Sequence, residues 1–120
     1  MKPASKQIGH RYEALAADYL QQQGSKILAR NFYCKGGELD LIILDQQTLA
    51  FVEVKFRQNT NHGHPSEFIT PTKQQRLQRC AQVYLQKNPA HQTREMRFDS
   101  LSIIGEPAQI DWQKNILCGW

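Results

Sequence analysis

Glu38, Asp40, Glu53 and Lys55 are the residues of this chain whose types and spacing could do chemistry. They lie in two apolar runs, Glu38 to Leu44 and Thr48 to Lys55, separated by Asp45-Gln46-Gln47. Two such runs around a short polar break predict a β-hairpin. Strand side chains alternate between faces, so pairing Asp45 with Thr48 places Asp40 opposite Glu53 and Glu38 opposite Lys55. Leu39, Leu41 and Ile43 then share an apolar reverse face with Val54, Val52 and Ala50. Gln46-Gln47 is a poor primed turn, so a longer loop, with the facing pair offset, stays open as an alternative. Two facing carboxylates raise each other's pKa, and a divalent cation between them removes that cost. Hard oxygen ligands suit Mg²⁺, with Mn²⁺ as the alternative, and Mg²⁺ commonly takes substrate phosphate oxygens as well. An ammonium beside such a site can hold a phosphate or help deprotonate an attacking water. The chemistry implied is metal-assisted phosphodiester hydrolysis. The plain alternative is a solvated sheet face with Glu–Lys pairs worth about 0.2–1 kcal/mol each.

The elements that must position these groups follow from periodicity. Ile8, Tyr12, Leu15, Tyr19 and Leu20 recur at helical spacing and predict a helix over residues 8–23, stopped by Gly24. Glu13 borders the apolar face of that helix. It either reaches toward the metal as a further ligand or complements the helix dipole from the first turn. Lys26 to Cys34 reads as a strand, and Lys35-Gly36-Gly37 as the turn into the Glu38 strand, giving a three-strand meander. The third strand runs on to Arg57, which shares a face with Glu53 and Lys55 and is either a phosphate contact or a solvated strand-end arginine. Residues 58–69 read as a mobile polar loop, whose His62 and His64 lack a third ligand for zinc. Thr70 is a suitable N-cap and Pro71 a suitable first residue for a helix to Lys87, closed by Asn88-Pro89. Leu77, Cys80, Ala81, Tyr84 and Leu85 form its core stripe. Lys73, Gln74, Arg76 and Arg79 give its first half a basic character, either a solvated helix face or a nucleic-acid contact in which Lys73 reaches a phosphate. Arg97 to Ile104 and Ala108 to Trp112 read as two further strands. The tail from Gln113 is ambiguous, its Ile116, Leu117 and Trp120 packing either on the core or on a partner.

The totals fit this reading. The chain has 120 residues, enough for one domain spanning 1–120 with a real core. Fifteen Lys and Arg against eleven Asp and Glu leave a net charge of +4, compatible with a phosphate-bearing partner without demanding one. The three cysteines, Cys34, Cys80 and Cys118, are far apart and form no C-x-x-C. They read as reduced thiols of a cytoplasmic protein. Leu41 to Leu44 is the longest aliphatic run, so neither a signal peptide nor a membrane span is expected.

A carboxylate on the first helix, Asp on the second strand and Glu-x-Lys on the third, in an αβββαβ order, together resemble the PD-(D/E)xK nuclease superfamily, which includes restriction endonucleases and Holliday-junction resolvases. More closely, the chain looks like a member of the YraN-like family of small bacterial proteins. The likeness rests on Tyr12-Glu13-Ala14, Asn31-Phe32, Gly36-Gly37-Glu38-Leu39-Asp40-Leu41-Ile42, Phe51-Val52-Glu53-Val54-Lys55-Phe56-Arg57, Ile69-Thr70-Pro71-Thr72-Lys73-Gln74 and Arg97-Phe98-Asp99. The resemblance implies an α/β, restriction-endonuclease-like core with a mixed central sheet flanked by helices. It also implies that Asp40 and Glu53 ligate Mg²⁺, that Glu13 assists the metal and that Lys55 positions or activates the attacking water. Leu39 stands where many superfamily members have proline. The expected activity is a Mg²⁺-dependent nuclease on DNA, branched or damaged, acting as a homodimer. The rival is a nucleic-acid-binding module that kept the fold without turnover.

Overall fold

The computed structural model describes residues 3–57, 70–105 and 107–117, with side chains from residue 11 onward. The polar stretch 58–69 expected to be a mobile loop, with its two histidines, lies outside the described residues, as do Cys118 and Trp120. The element order is α1 (Pro3–Gln22), β1 (Lys26–Cys34), β2 (Gly37–Asp45), β3 (Thr48–Arg57), α2 (Pro71–Lys87), a short 3-10 turn (Pro89–His91), β4 (Met96–Ile104) and β5 (Gln109–Gln113). This is the expected αβββαβ core with one added edge strand. The five strands form one sheet in the order β1-β2-β3-β4-β5. Only β3 and β4 run parallel, which makes the sheet mixed.

Both faces of the sheet are covered. Leu41, Ile43, Ala50, Val52, Leu101 and Ile103 pack with Ala16, Ala17 and Leu20 of α1. Ile42, Leu49, Phe51 and Phe98 pack with Leu77, Cys80, Ala81 and Tyr84 of α2. A strand buried on both faces needs apolar residues at successive positions, which accounts for the unbroken run Leu41 to Leu44. The single apolar face expected of the β2–β3 hairpin is therefore two apolar faces, and polar chemistry is confined to the strand ends.

Local signals set the element ends. Thr70 Oγ1 accepts the Lys73 N–H at 3.1 Å, and Pro71 opens α2. At the other end Asn88 Nδ2 donates to the Tyr84 carbonyl at 2.9 Å. The connection between β2 and β3 is only Gln46-Gln47, since Asp45 pairs with Thr48. Gln46 accepts φ +57° there. Arg94 braces this turn by donating to Gln47 Oε1 at 2.9 Å. Helix α1 begins at Pro3, well before the expected Ile8. The tail residues Ile116 and Leu117 join the α2-side core, with the Ile116 N–H donating to the Phe98 carbonyl at 2.7 Å.

Cys34 and Cys80 are joined in a disulfide with Cα atoms 5.5 Å apart. The expectation of reduced thiols is corrected here. Its basis was spacing, and 46 residues of sequence separation hide the fact that the end of β1 meets the buried stripe of α2. In the chain-entropy account, a bridge closing a loop of that length stabilises the fold by about 4 kcal/mol.

Candidate metal and phosphate site

The β2–β3 register follows the expected pairing from Asp45↔Thr48 as far as Leu41↔Val52, and no pair is formed beyond it. At that point the Asp40 side chain enters the gap, its Oδ2 accepting the Val54 N–H at 2.9 Å. Asp40 thus caps the open end of the ladder. The strand alternation also breaks here: Leu39 packs on the α2 side while Leu41 packs on the α1 side. On β1, Asn31 lies between the pairs Arg30↔Leu41 and Phe32↔Leu39 and takes φ +53°. The direct facing of Asp40 with Glu53, and of Glu38 with Lys55, is therefore not formed. The reason is that an aspartate able to take a backbone N–H competes with continuation of the ladder.

The break turns Asp40 toward Glu13. Carboxylate oxygens of Glu13, Glu38 and Asp40 all lie within 4.8 Å of one another. Glu13 sits mid-helix, because α1 starts early, so its role as a first-turn dipole partner is ruled out. Its Oε1 is buried with no hydrogen-bond partner. Burial first, then the charges of Glu13, Glu38 and Glu53, push the Asp40 carboxyl up to about 7 against the pull of its Val54 hydrogen bond. Three carboxylates this close together, with one Glu13 oxygen buried and unpartnered, form a site that a hard cation would stabilise.

Glu53 stands beside this trio rather than in it. Its Oε2 meets Lys73 Nζ at 2.7 Å and its Oε1 lies 3.4 Å from Lys55 Nζ. Glu53 and Lys55 are each only about a tenth exposed, so the pair is well shielded from water, whereas Lys73 is more open. Next to them, an open cavity of about 360 Å³ is lined by Gly36, Gly37, Glu38, Glu53, Thr70, Thr72, Lys73, Arg76 and Leu77. Of the expected nucleic-acid contacts, Lys73 and Arg76 line this cavity; Gln74 and Arg57 do not. Arg57 is exposed at the end of β3, with its guanidinium donating to the Phe56 carbonyl at 3.3 Å.

Comparison with known proteins adds the lineage. A model of the uncharacterised protein family UPF0102 matches residues 12–103. The chain belongs to the UPF0102 family. A UPF0102 protein of Vibrio cholerae is 42% identical over 114 residues, covering 94% of this chain and 93% of the relative. One from Vibrio parahaemolyticus is 40% identical over 114 residues, covering 95% and 94%. One from Pseudomonas syringae is 40% identical over 112 residues, covering 91% of each. The resemblance to YraN-like proteins is thereby shown, since UPF0102 and that family are the same.

In this UPF0102 chain Glu38, which the sequence places on the same face as Asp40, is the carboxylate that was not expected to be a metal ligand. The available signal was its place two residues before Asp40, which regular alternation would put on the same face. The hairpin register drew attention to the partner strand instead.

Proposed function

We propose that this protein is a Mg²⁺-dependent nuclease that hydrolyses phosphodiester bonds in DNA, with branched or damaged DNA as its substrate class and a homodimer as its working form. The observation that carries the proposal is the Glu13–Glu38–Asp40 trio, with its buried, unpartnered Glu13 oxygen, set against a cationic cavity wall. The donor set is all carboxylate oxygen, the chemistry that Mg²⁺ or Mn²⁺ prefers. Glu13, Glu38 and Asp40 would hold the ion, with Glu53 as the adjoining carboxylate. When bound, the ion supplies Lewis-acid polarisation of the phosphoryl oxygens.

The chain's own residues divide the remaining work. Glu53 fixes Lys55 and Lys73 on one side of the acidic corner. Lys55, shielded from solvent and paired as an ammonium with Glu53, positions the attacking water by donating a hydrogen bond to its oxygen and favours its ionised form by charge. Lys73, in the first turn of α2, donates to a non-bridging oxygen of the scissile phosphate, where the helix N-terminus also favours negative charge. Arg76 holds a neighbouring phosphate along the cavity, and Gln74 and Arg57 contact the backbone farther out. No helix among the described residues is long and apolar enough to cross a membrane. We place the reaction in the cytoplasm, where DNA and Mg²⁺ are both present.

The Lys73–Glu53 contact favours a second reading, because a carboxylate already neutralised by an ammonium is a weaker metal ligand. In that reading the fold binds nucleic acid without cutting it. One panel separates the two: linear, nicked, flapped and four-way DNA with Mg²⁺ or Mn²⁺. Cleavage by the wild type that Asp40→Ala and Lys55→Ala both lose supports the nuclease. Salt-dependent binding with no metal-dependent cleavage moves the assignment to the binder.

A further inference from the structure

We infer that the Cys34–Cys80 disulfide is a redox control on the acidic corner, holding the β1–β2 turn and its Glu38 in register with Glu13 and Asp40. The inference rests on the metal-site reading above for its consequence, but not for its mechanism.

Cys34 pairs with Gly37 at the tip of the β1–β2 hairpin, and Tyr33 pairs with Glu38 one step in. The residues between Cys34 and Leu39 are Lys35, Gly36, Gly37 and Glu38, which supply no apolar side chain to the core. Yet the turn is pressed against α2. A methyl group added at Gly37 would lie 3.4 Å from Cys80 Sγ and 3.6 Å from Arg76 Cβ, and one at Gly36 would lie 3.7 Å from an Arg79 guanidinium nitrogen. The bond from Cys34 to Cys80 is the covalent link that sets this approach. The cavity wall formed by Gly36, Gly37 and Glu38 on one side and Lys73 and Arg76 on the other spans the same gap. The sulfur bridge therefore fixes at once the width of the cavity and the position of one carboxylate of the trio.

The two ends of the bridge differ in access. Cys80 is fully buried in the α2-side core, whereas Cys34 is half-buried at the hairpin tip. A dithiol reductant reaches the Cys34 sulfur. Its thiolate attacks that sulfur, the S–S bond breaks, and the Cys80 sulfur leaves with the electron pair and takes up a proton. The reductant's second thiolate then displaces Cys34 from the mixed disulfide, and the Cys34 thiolate is protonated. Two electrons and two protons pass to the protein, and the reductant ends as its own disulfide. The covalent link between the turn and α2 is gone, and the turn backs away from the helix. In a reducing compartment a disulfide is commonly transient and regulatory rather than a permanent staple. Glu38 leaves the trio and cation affinity falls.

The test uses the full chain carrying Cys118→Ser, so that Cys34 and Cys80 are its only thiols. Maleimide labelling under denaturing conditions is expected to modify neither cysteine before dithiothreitol and both after it. Amide hydrogen exchange of residues 36–40 should speed up on reduction, while exchange in β3 and β4 stays unchanged. Mn²⁺ affinity, read by calorimetry, should fall roughly tenfold on reduction, the scale of a lost supporting contact. Cys34→Ser should match the reduced protein in both readouts and no longer respond to dithiothreitol. Both cysteines labelled without reductant after oxidation by glutathione disulfide would overturn the inference, as would exchange at residues 36–40 that ignores redox state. An exchange response with no Mn²⁺ binding in either state would sink the metal reading while the redox coupling of the turn stands.

Discussion

Asp40 and Asp99 lie on two strands of one sheet, β2 and β4, and the protein treats their charges in opposite ways. Asp99 is fully buried and fully compensated. Arg97 Nε donates to both of its oxygens at 2.9 and 3.1 Å, the Trp112 indole N–H donates at 3.0 Å, and the Asn115 backbone N–H at 2.9 Å. Arg97 also reaches Asp45 at 2.7 Å, where Lys114 adds a second cation at 3.0 Å. These two cations hold the Asp45 carboxyl below its usual range despite partial burial. The network locks the 112–115 segment onto β4 and the β2–β3 turn. Asp40 receives one backbone N–H and otherwise faces carboxylates. A protein that can build the first environment and leaves the second so poorly compensated is sacrificing stability at a place where charge is to be met by something else. The difference separates a carboxylate used to join the fold from one kept for a ligand.

The sharpest way to break this comparison is Asp40→Asn. Asparagine keeps an acceptor for the Val54 N–H but removes the charge. Cleavage is expected to drop by about a thousandfold or more, or about 4 kcal/mol of transition-state stabilisation, while urea unfolding at pH 7.5, near the upper end of the Asp40 titration, shows no loss of stability. Equal losses of activity and stability would erase the distinction between the two aspartates.

Asp99→Ala should do the reverse. It leaves the Arg97 Nε–H, the Trp112 N–H and the Asn115 N–H without their acceptor, while Arg97 keeps Asp45, and is expected to cost about 3–5 kcal/mol of unfolding free energy by urea titration. Cation affinity at the acidic corner should change little in whatever fraction remains folded.

The third test is pH. The folded chain holds the Asp40 proton up to about 7, whereas the unfolded chain releases it near the ordinary value of 3.8. Between those values the native state binds more protons than the unfolded state, so metal-free stability falls as pH rises from about 4 to about 7. The Asp40 contribution to that fall is at most about 4 kcal/mol. Below about 4 both states are protonated and above about 7 both are ionised, so there this group adds no slope. Asp40→Asn should flatten the difference, and saturating Mg²⁺ should do the same in the wild type. A wild-type and mutant pair with parallel pH profiles in EDTA would remove the electrostatic argument.

The smallest effect belongs to Lys114→Ala. Lys114 is half exposed, and it touches Asp45 and lies 4.4 Å from the centre of the Trp112 ring. Its loss should cost no more than about 1 kcal/mol, measured as a shift in the urea midpoint and reduced further by salt.

Much of this molecule is set by local rules that act over a few residues. The Thr70–Pro71 helix start, the Asn88 stop, the turn at Gly36 and the hairpin register down to Leu41 each follow from backbone preferences or from alternation, and each is legible in sequence. The presence of an acidic corner near Asp40 is legible for the same reason. Its membership was decided by tertiary structure. Asp40 gives up its ladder position for the Val54 N–H, the alternation breaks, and the third carboxylate brought within 4.8 Å is Glu38 rather than Glu53. Glu53 is drawn instead to Lys73, 20 positions further along the chain, by an ion pair that no strand periodicity encodes. The Cys34–Cys80 bridge and the Arg97–Asp99–Trp112 network likewise depend on where α2 and the tail dock. That docking is fixed by burial of the whole core, in which a contact between distant residues leaves no trace in the spacing of either one.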